Sequence, residues 1–274
     1  MNIKTWIAGI MSLAMVCSAG LAFAGNISIN GSTTVLPIAQ KIAEAYMKEH
    51  PDVAISISGG GSGNGIKALI DKTTDIANSS RTIMPEEAAR AKAKGASPTE
   101  FIVAHDCIVP AVHPENPLNN ITLDQLKSIY KGEVRNWKQI GGADRPIVII
   151  SRDTSSGTYE VWEEKVMKKE RVSPRALLQA SNGTIVQTVS KNPNAIGYIG
   201  VGYLDKSVKS LSVNGIVGSK ETTLNKTFPI SRPLYMYTQA QPAGDVKNFL
   251  DYVISDKGQK LVEAEGFVPL RETP

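Results

Sequence analysis

Three short segments of this 274-residue chain carry the same residue types in the same setting: Gly31-Ser32-Thr33-Thr34, Gly61-Ser62-Gly63-Asn64-Gly65 and Arg152-Asp153-Thr154-Ser155-Ser156-Gly157-Thr158. Each follows an apolar, strand-like run and precedes a run with helical spacing. Gly, Ser and Thr bring hydroxyls and exposable backbone N–H groups with little bulk. The first N–H groups of a helix have no partner inside it, and the helix dipole favours negative charge beside them. Three such turns constrain the chain to a fold in which strand ends meet helix starts. Converging, they would enclose a small tetrahedral oxyanion with no metal and no cofactor.

The remaining periodicity gives the same class of fold. A β-branched strand is expected over 26–30, and Pro37 then opens a helix with Ile38, Ala39, Ile42 and Tyr46 on one face. Alternation over 53–58 reads as a half-buried strand, with a helix at 66–71. Residues 74–81 read as a short buried strand, 85–94 as a helix closed by Gly95, and 101–112 as a long apolar strand interrupted by His105-Asp106. A helix over 123–130, a buried strand over 147–150 and a helix after Gly157 with Tyr159, Trp162 and Val166 on one face follow. Further αβ elements reach Tyr203, then a strand over 234–238 and one last helix over 246–265. Such alternation predicts an α/β fold with mostly parallel sheets, whose ligands bind at the carboxyl ends of strands.

The N-terminus has the form of a secretory leader. Lys4 precedes a mostly apolar run from Trp6 to Val16, and Ala22-Phe23-Ala24 fits the small-residue cleavage rule, so the mature chain is expected to begin at Gly25. Ala14-Met15-Val16 before Cys17 lacks the small residues of a lipid-anchor site. Removing 1–24 leaves one cysteine, Cys107, in an apolar run, where it reads as a small core residue. It also removes Lys4, leaving 29 basic against 26 acidic side chains, interspersed rather than clustered. That mild basic excess suits an anionic ligand. Scattered charge and sparse aromatics exclude a nucleic-acid stripe or stacking platform.

Each motif also has a plain structural reading. Ser32, Ser62 and Ser156 suit N-caps; capping and anion binding use the same N–H groups, and sequence does not separate them. Gly60 and Gly65 have the spacing of a nucleotide-phosphate loop, but Ile66 stands where lysine is needed. Ser128-Ile129-Tyr130-Lys131 fits a serine-acylase pattern without its partner motifs and reads as a solvated helix face. His105 and Cys107 share strand parity, but two ligands do not make a metal site.

The ordered set of motifs resembles a known family. Gly31-Ser32-Thr33-Thr34, Gly61-Ser62-Gly63, the stretch Asp75 to Arg81, Ile129-Tyr130-Lys131-Gly132 before Asn136-Trp137, Arg152 with Ser156-Gly157-Thr158, and Ala195-Ile196-Gly197-Tyr198 are similar, in order and spacing, to the periplasmic phosphate-binding proteins of ABC transporters. The likeness spans nearly all of the mature chain. It implies two Rossmann-like α/β lobes joined by a two-segment hinge: 25–103 plus 232–274, and 104–231, with crossovers near Val103 and Arg232. It implies a periplasmic, non-enzymatic protein that closes on phosphate and presents it to a membrane permease; no long exposed apolar stripe of the kind an obligate dimer needs is evident in the sequence, so a monomer is expected. Thr33 and Thr34 would donate from the first loop, with Ser32 beside them, Ser62 and Gly63 from the second, and Arg152, Ser156, Gly157 and Thr158 from the far lobe.

One position departs from that family. Where its well-known members carry a carboxylate that accepts the phosphate proton, this chain has Ser80, followed by Arg81, which adds a donor but cannot accept. Asp106 is the first candidate for the missing acceptor; Asp153 is second, with orientation of Arg152 as its other role. The same cradle would fit sulfate, molybdate, tungstate or arsenate. A phosphate-ester hydrolase is a third reading, for which no His–carboxylate–Ser arrangement or metal cluster is visible in the sequence.

Overall fold

The computed structural model describes residues 25–271, so the leader, its cleavage point and Cys17 lie outside the described residues. Alternating Ile27 and Ile29 fill the buried side of β1 (Gly25–Gly31). Pro37 starts α1 (Leu36–Glu49), which buries Ile38, Ala39, Ile42, Ala43 and Tyr46. β2 (Val53–Gly59), α2 (Ser62–Ile70), β3 (Ile76–Ser79) and α3 (Pro85–Ala93) follow. β4 (Thr99–Val112) is a 14-residue strand, buried throughout from Cys107 onward. Next come β5 (Asn120–Ile121), α4 (Leu123–Lys131), β6 (Val148–Arg152), α5 (Gly157–Lys165), β7 (Leu177–Gln179) and α6 (Asn182–Ser190). The chain ends through β8 (Ala195–Gly200), β9 (Lys209–Ser210), β10 (Ser212–Val213), α7 (Lys220–Leu224), β11 (Ser231–Thr238), α8 (Gly244–Ile254) and α9 (Asp256–Ala264).

Nine strands form one curled sheet in the order β2-β1-β3-β11-β4-β8-β6-β7, with β9 beside β4. It is mixed rather than mostly parallel. Pairing is parallel on both flanks, β2-β1-β3 and β8-β6-β7, where helices return the chain between strands. It is antiparallel through the middle, where β11 pairs with β3 and β4, and β4 with β8.

The apolar core falls mainly in two large bodies along this sheet, one for each lobe, with two small clusters beside them around α2. The first gathers Ile27, Ile29, Val103, Ala104, Leu234 and Met236 under α1 and α8. The second gathers Cys107, Ile108, Trp162, Ile185, Tyr198 and Ile230. β4 and β11 run from one body into the other. At the break lie His105-Asp106 on β4 and Ser231-Arg232-Pro233 on β11, with Arg232 directly opposite Asp106 in the register. Cys107 is the core residue that its apolar setting predicts, and burial pushes its thiol up to about 12.

Several element ends differ from the sequence expectation, and the differences bear on the site. The helix expected at 66–71 begins at Ser62, so the Gly-rich loop is itself the first turn of α2. Gly65 lets that turn lie against the end of β1: a Cβ there would sit 2.6 Å from the Asn30 carbonyl oxygen and 2.6 Å from Gly31 Cα. The strand expected at 147–150 continues to Arg152, and the one expected at 234–238 starts at Ser231, which makes Arg152 and Arg232 strand residues. The last helix breaks at Ser255, whose extended backbone (ψ 164°) lets its hydroxyl accept the Gly258 N–H at 3.2 Å.

Gly65→Ala tests the seating of α2. Backbone atoms block the new methyl, so the substitution should lower unfolding free energy by about 1–3 kcal/mol, read as a lower urea midpoint at unchanged slope. Parental stability would mean that α2 can move off β1 freely.

Candidate functional site

The carboxyl ends of β1, β2 and β6 bring the three expected loops together between the lobes, with the end of β3 beside them. In the first lobe, Ser32, Thr33 and Thr34 are buried. The Ser32 hydroxyl accepts the N–H groups of Thr34 (3.1 Å) and Val35 (3.4 Å), so it caps its own turn. At the start of α2, Ser62 Oγ accepts the Ser80 N–H at 3.0 Å and lies 3.3 Å from Ser80 Oγ. The two loops are therefore bonded to each other. A Cβ on Gly157 of the other lobe would collide with both of these hydroxyls, which places the first turn of α5 against them.

The second lobe supplies Arg152. A packed aromatic set positions it: Trp162 and Tyr198 stack at 4.2 Å between centroids, with Tyr130 edge-on to Trp162 at 5.0 Å. The Tyr198 hydroxyl accepts the Arg152 backbone N–H at 3.2 Å. The guanidinium is anchored by carbonyls, Nε to Gln179 and Nη2 to Ala180, each at 3.0 Å. Nη1 is buried with no partner among the described residues, and the whole side chain is 1 % exposed. Burial pushes the Arg152 guanidinium pKa down, and the Arg232 charge adds to that shift. Ser156 caps α5 by accepting the Tyr159 N–H at 3.3 Å. The N–H groups of Gly157 and Thr158, in the first turn, lie ahead of any intrahelical partner.

Two residues outside the sequence candidates join the cradle. Asn182, in the first turn of α6, donates Nδ2 to Thr33 Oγ1 (3.2 Å) and Thr34 Oγ1 (3.0 Å). Arg232 donates Nη2 to Thr158 Oγ1 (3.1 Å) and Thr34 Oγ1 (3.3 Å), and these hydroxyls from opposite lobes are 3.0 Å apart. Both had a signal. Ser181-Asn182-Gly183 repeats the small polar turn of the other three loops, and Arg232 is a lone charge beside the apolar run of β11.

Asp106 is fully buried, and its partner Arg232 is nearly so. Its Oδ2 accepts from Arg232 Nη2 (2.7 Å) and Nε (3.0 Å), and its Oδ1 accepts the Val201 N–H at 2.9 Å. Burial pushes the Asp106 carboxyl up and the Arg232 guanidinium down, and the two charge-assisted bonds between them oppose both shifts. The carboxylate thus engages Arg232 rather than a cradle hydroxyl.

Three other expectations change. Arg81 is not a bare cation: Glu87 binds it at 2.7 and 2.8 Å, and Glu160 of α5 takes its Nε–H from the other lobe. The Gly63 N–H crosses the cleft to the Ser155 carbonyl at 3.0 Å instead of facing an anion. Asp153 does not orient Arg152; its Oδ1 accepts the Ser155 N–H at 2.9 Å and the Ser155 hydroxyl. Ser155 Oγ also reaches the Gly60 carbonyl at 3.1 Å, and the Tyr203 hydroxyl donates to the Thr33 carbonyl. The two lobes are in contact over the site.

A family model described as a PBP superfamily domain matches residues 18–257. The phosphate-binding protein PstS of Borreliella burgdorferi is 35 % identical over 257 residues, 89 % of this chain and 90 % of that one. The PstS of Bacillus subtilis is 31 % identical, covering 90 % of this chain and 82 % of its own. A putative phosphate ABC transporter substrate-binding protein from Clostridium perfringens, solved with bound phosphate, superposes with a TM-score of 0.84 at 36 % identity over 90 % of this chain and 100 % of that one. An ABC-type phosphate transport receptor from Vibrio cholerae gives 0.73 at 33 % identity, covering 88 % and 99 %. Matched over most of its length by both sequence and fold, the chain belongs to the PBP superfamily and, within it, to the PstS phosphate-binding proteins.

Proposed function

We propose that this protein captures inorganic phosphate in the cleft between its lobes, outside the cytoplasmic membrane, and delivers it as a monomer to the permease of an ABC transporter. Arg152 is the observation that carries the reading. A buried guanidinium without a carboxylate is costly, and one of its nitrogens has no partner among the described residues. The same lobe contact gathers groups able to donate: the first N–H groups of α5, the Asn182 amide, and the hydroxyls of Thr34, Ser62, Ser80 and Thr158. A tetrahedral anion supplies both the missing charge and the missing acceptors. The names of the relatives agree with that chemistry.

Binding, not turnover, suits these groups. The hydroxyls of Thr33, Thr34, Ser62, Ser80 and Thr158 bond to amides, a guanidinium and one another, and among the described residues no histidine or carboxylate bonds one of these five; the Asp153 carboxylate takes only the neighbouring Ser155 hydroxyl. Nothing there would remove a serine or threonine proton. Among the described residues no helix is long and apolar enough to cross a membrane, and the leader-like segment at 1–24 supports export.

Isothermal titration of ligand-stripped protein should give one phosphate site of micromolar affinity or tighter, with sulfate, molybdate and tungstate competing poorly. No heat with phosphate would overturn the reading, and sulfate outcompeting phosphate would reassign the anion. Arg152→Met should weaken phosphate binding by about 100-fold or more, the loss expected on removing one partner of a buried charge pair. Gly157→Ala should leave the urea midpoint of the ligand-free protein unchanged, since Ala is favoured in a helix, yet weaken binding about tenfold because the methyl blocks Ser62 and Ser80. Parental affinity in either variant would remove that residue from the site.

A further inference from the structure

We propose that Arg232, held by Asp106, is the positioning residue that couples lobe closure to the anion, because its Nη2 touches one hydroxyl from each lobe from a seat between the two cores. The inference rests on the phosphate reading above and adds to it a part that belongs to neither lobe's loops.

The seat itself is unusual. Arg232 and Asp106 lie opposite each other on β11 and β4, the two strands that pass from one core to the other, at the point where both cores stop. A charge pair at that point carries no apolar packing for either lobe. The Asp106 carboxylate fixes the guanidinium plane through Nε and Nη2, and Nη1 donates to the Ser80 carbonyl at 3.2 Å. Nη2 has two hydrogens and three acceptors within 3.3 Å: Asp106 Oδ2, Thr158 Oγ1 and Thr34 Oγ1. One hydrogen serves the carboxylate at 2.7 Å. The other is shared by two hydroxyls from opposite lobes.

That sharing exists only while the lobes are together. Separation of Thr34 from Thr158 leaves the second hydrogen with one hydroxyl or with water. In the closed arrangement Arg232 and Asn182 both donate to Thr34 Oγ1, so the hydroxyl protons of Thr34 and Thr158 are turned toward each other or into the cradle. Arg232 thereby orients threonine donors from both lobes at once. It also adds positive charge next to Arg152, and the repulsion between the two guanidiniums falls when an anion lies in the cradle. Lysine would keep the charge but lacks the planar fork that reaches Asp106, Ser80 and both threonines together.

The experiment combines phosphate titration with small-angle scattering of the wild type, Arg232→Lys, Asp106→Asn and Thr158→Val, each with and without saturating phosphate. The wild type should compact on phosphate. Arg232→Lys should bind at least about tenfold more weakly and, even at saturation, fail to reach the wild-type compact form. Asp106→Asn should weaken phosphate and sulfate alike, since its role is to hold Arg232. Thr158→Val leaves the ion pair intact and removes the second-lobe hydroxyl, so it should show the same compaction defect. It decides the question if the charge variants do not fold. Full compaction at saturation in Arg232→Lys or in Thr158→Val overturns the inference, as does an Asp106→Asn variant that loses only discrimination against sulfate. A wild type that neither binds phosphate nor compacts overturns the functional reading itself.

Discussion

Burying a guanidinium without a carboxylate beside it is the constraint on which the cleft depends. Three arginines come together near the lobe contact, and the chain treats each differently. Arg81 is held by Glu87 and Glu160, Arg232 by Asp106, and Arg152 by two carbonyl oxygens alone. Carbonyl dipoles orient Arg152 but leave its charge in place. Of these three, the arginine without a bonded carboxylate therefore sits where helix N-termini and hydroxyls already favour negative charge. Had a carboxylate bonded the Arg152 guanidinium, as Asp106 bonds Arg232, the same loops would form a satisfied, inert polar core.

The rest of the fold holds that uncompensated charge in position. The stack of Trp162 on Tyr198, with Tyr130 against it, fills the second core, and the Tyr198 hydroxyl binds the end of β6 where Arg152 begins its side chain. In the first lobe, Gly65 brings α2 onto β1, and Ser62 ties that turn to Ser80 at the end of β3. Positions are thus set by packed aromatics on one side and by small residues on the other.

Much of this was legible in the sequence, and the limits have physical causes. Period-two and period-3.6 patterns located β1, α1, β2, α3 and β4 within a residue or two, because each buries one face. The three Gly/Ser/Thr turns marked the right strand ends. Less legible were features set by tertiary partners. Ser255 breaks the last helix by capping Gly258, which a continuous apolar pattern conceals. The antiparallel middle of the sheet depends on β11 returning between β3 and β4, a pairing with no local signal. Arg81 reads as a free cation until the fold brings Glu160 to it from 79 residues away. Asp153 stands next to Arg152 in sequence, yet it folds back onto Ser155. Asn182 and Arg232 each carried a local cue: a fourth small polar turn, and a lone charge beside an apolar strand. The value of those cues lies in what they face, and that only the fold supplies.

The contacts that join the lobes explain why closure should follow the anion. Gly63 to Ser155, Ser155 to Gly60, Tyr203 to Thr33 and Asn182 to Thr33 and Thr34 are hydrogen bonds between groups that water would otherwise satisfy. Each such bond contributes about 0.5–1.5 kcal/mol net, and ordering the two lobes against each other opposes their sum. The Arg81–Glu160 pair adds a charge-assisted contact, but it desolvates both partners to form, and burial already pushes the Glu160 carboxyl up. Closing on an empty cradle would also bring Arg232 and the donor hydroxyls against Arg152 with no acceptor between them. An anion reverses the sign of that last contribution, turning like-charge crowding into shared attraction, while the other contacts stay the same. On the proposed reading, capture and release would then turn on the Arg152 charge rather than on the lobe contacts, which are the same with and without the anion.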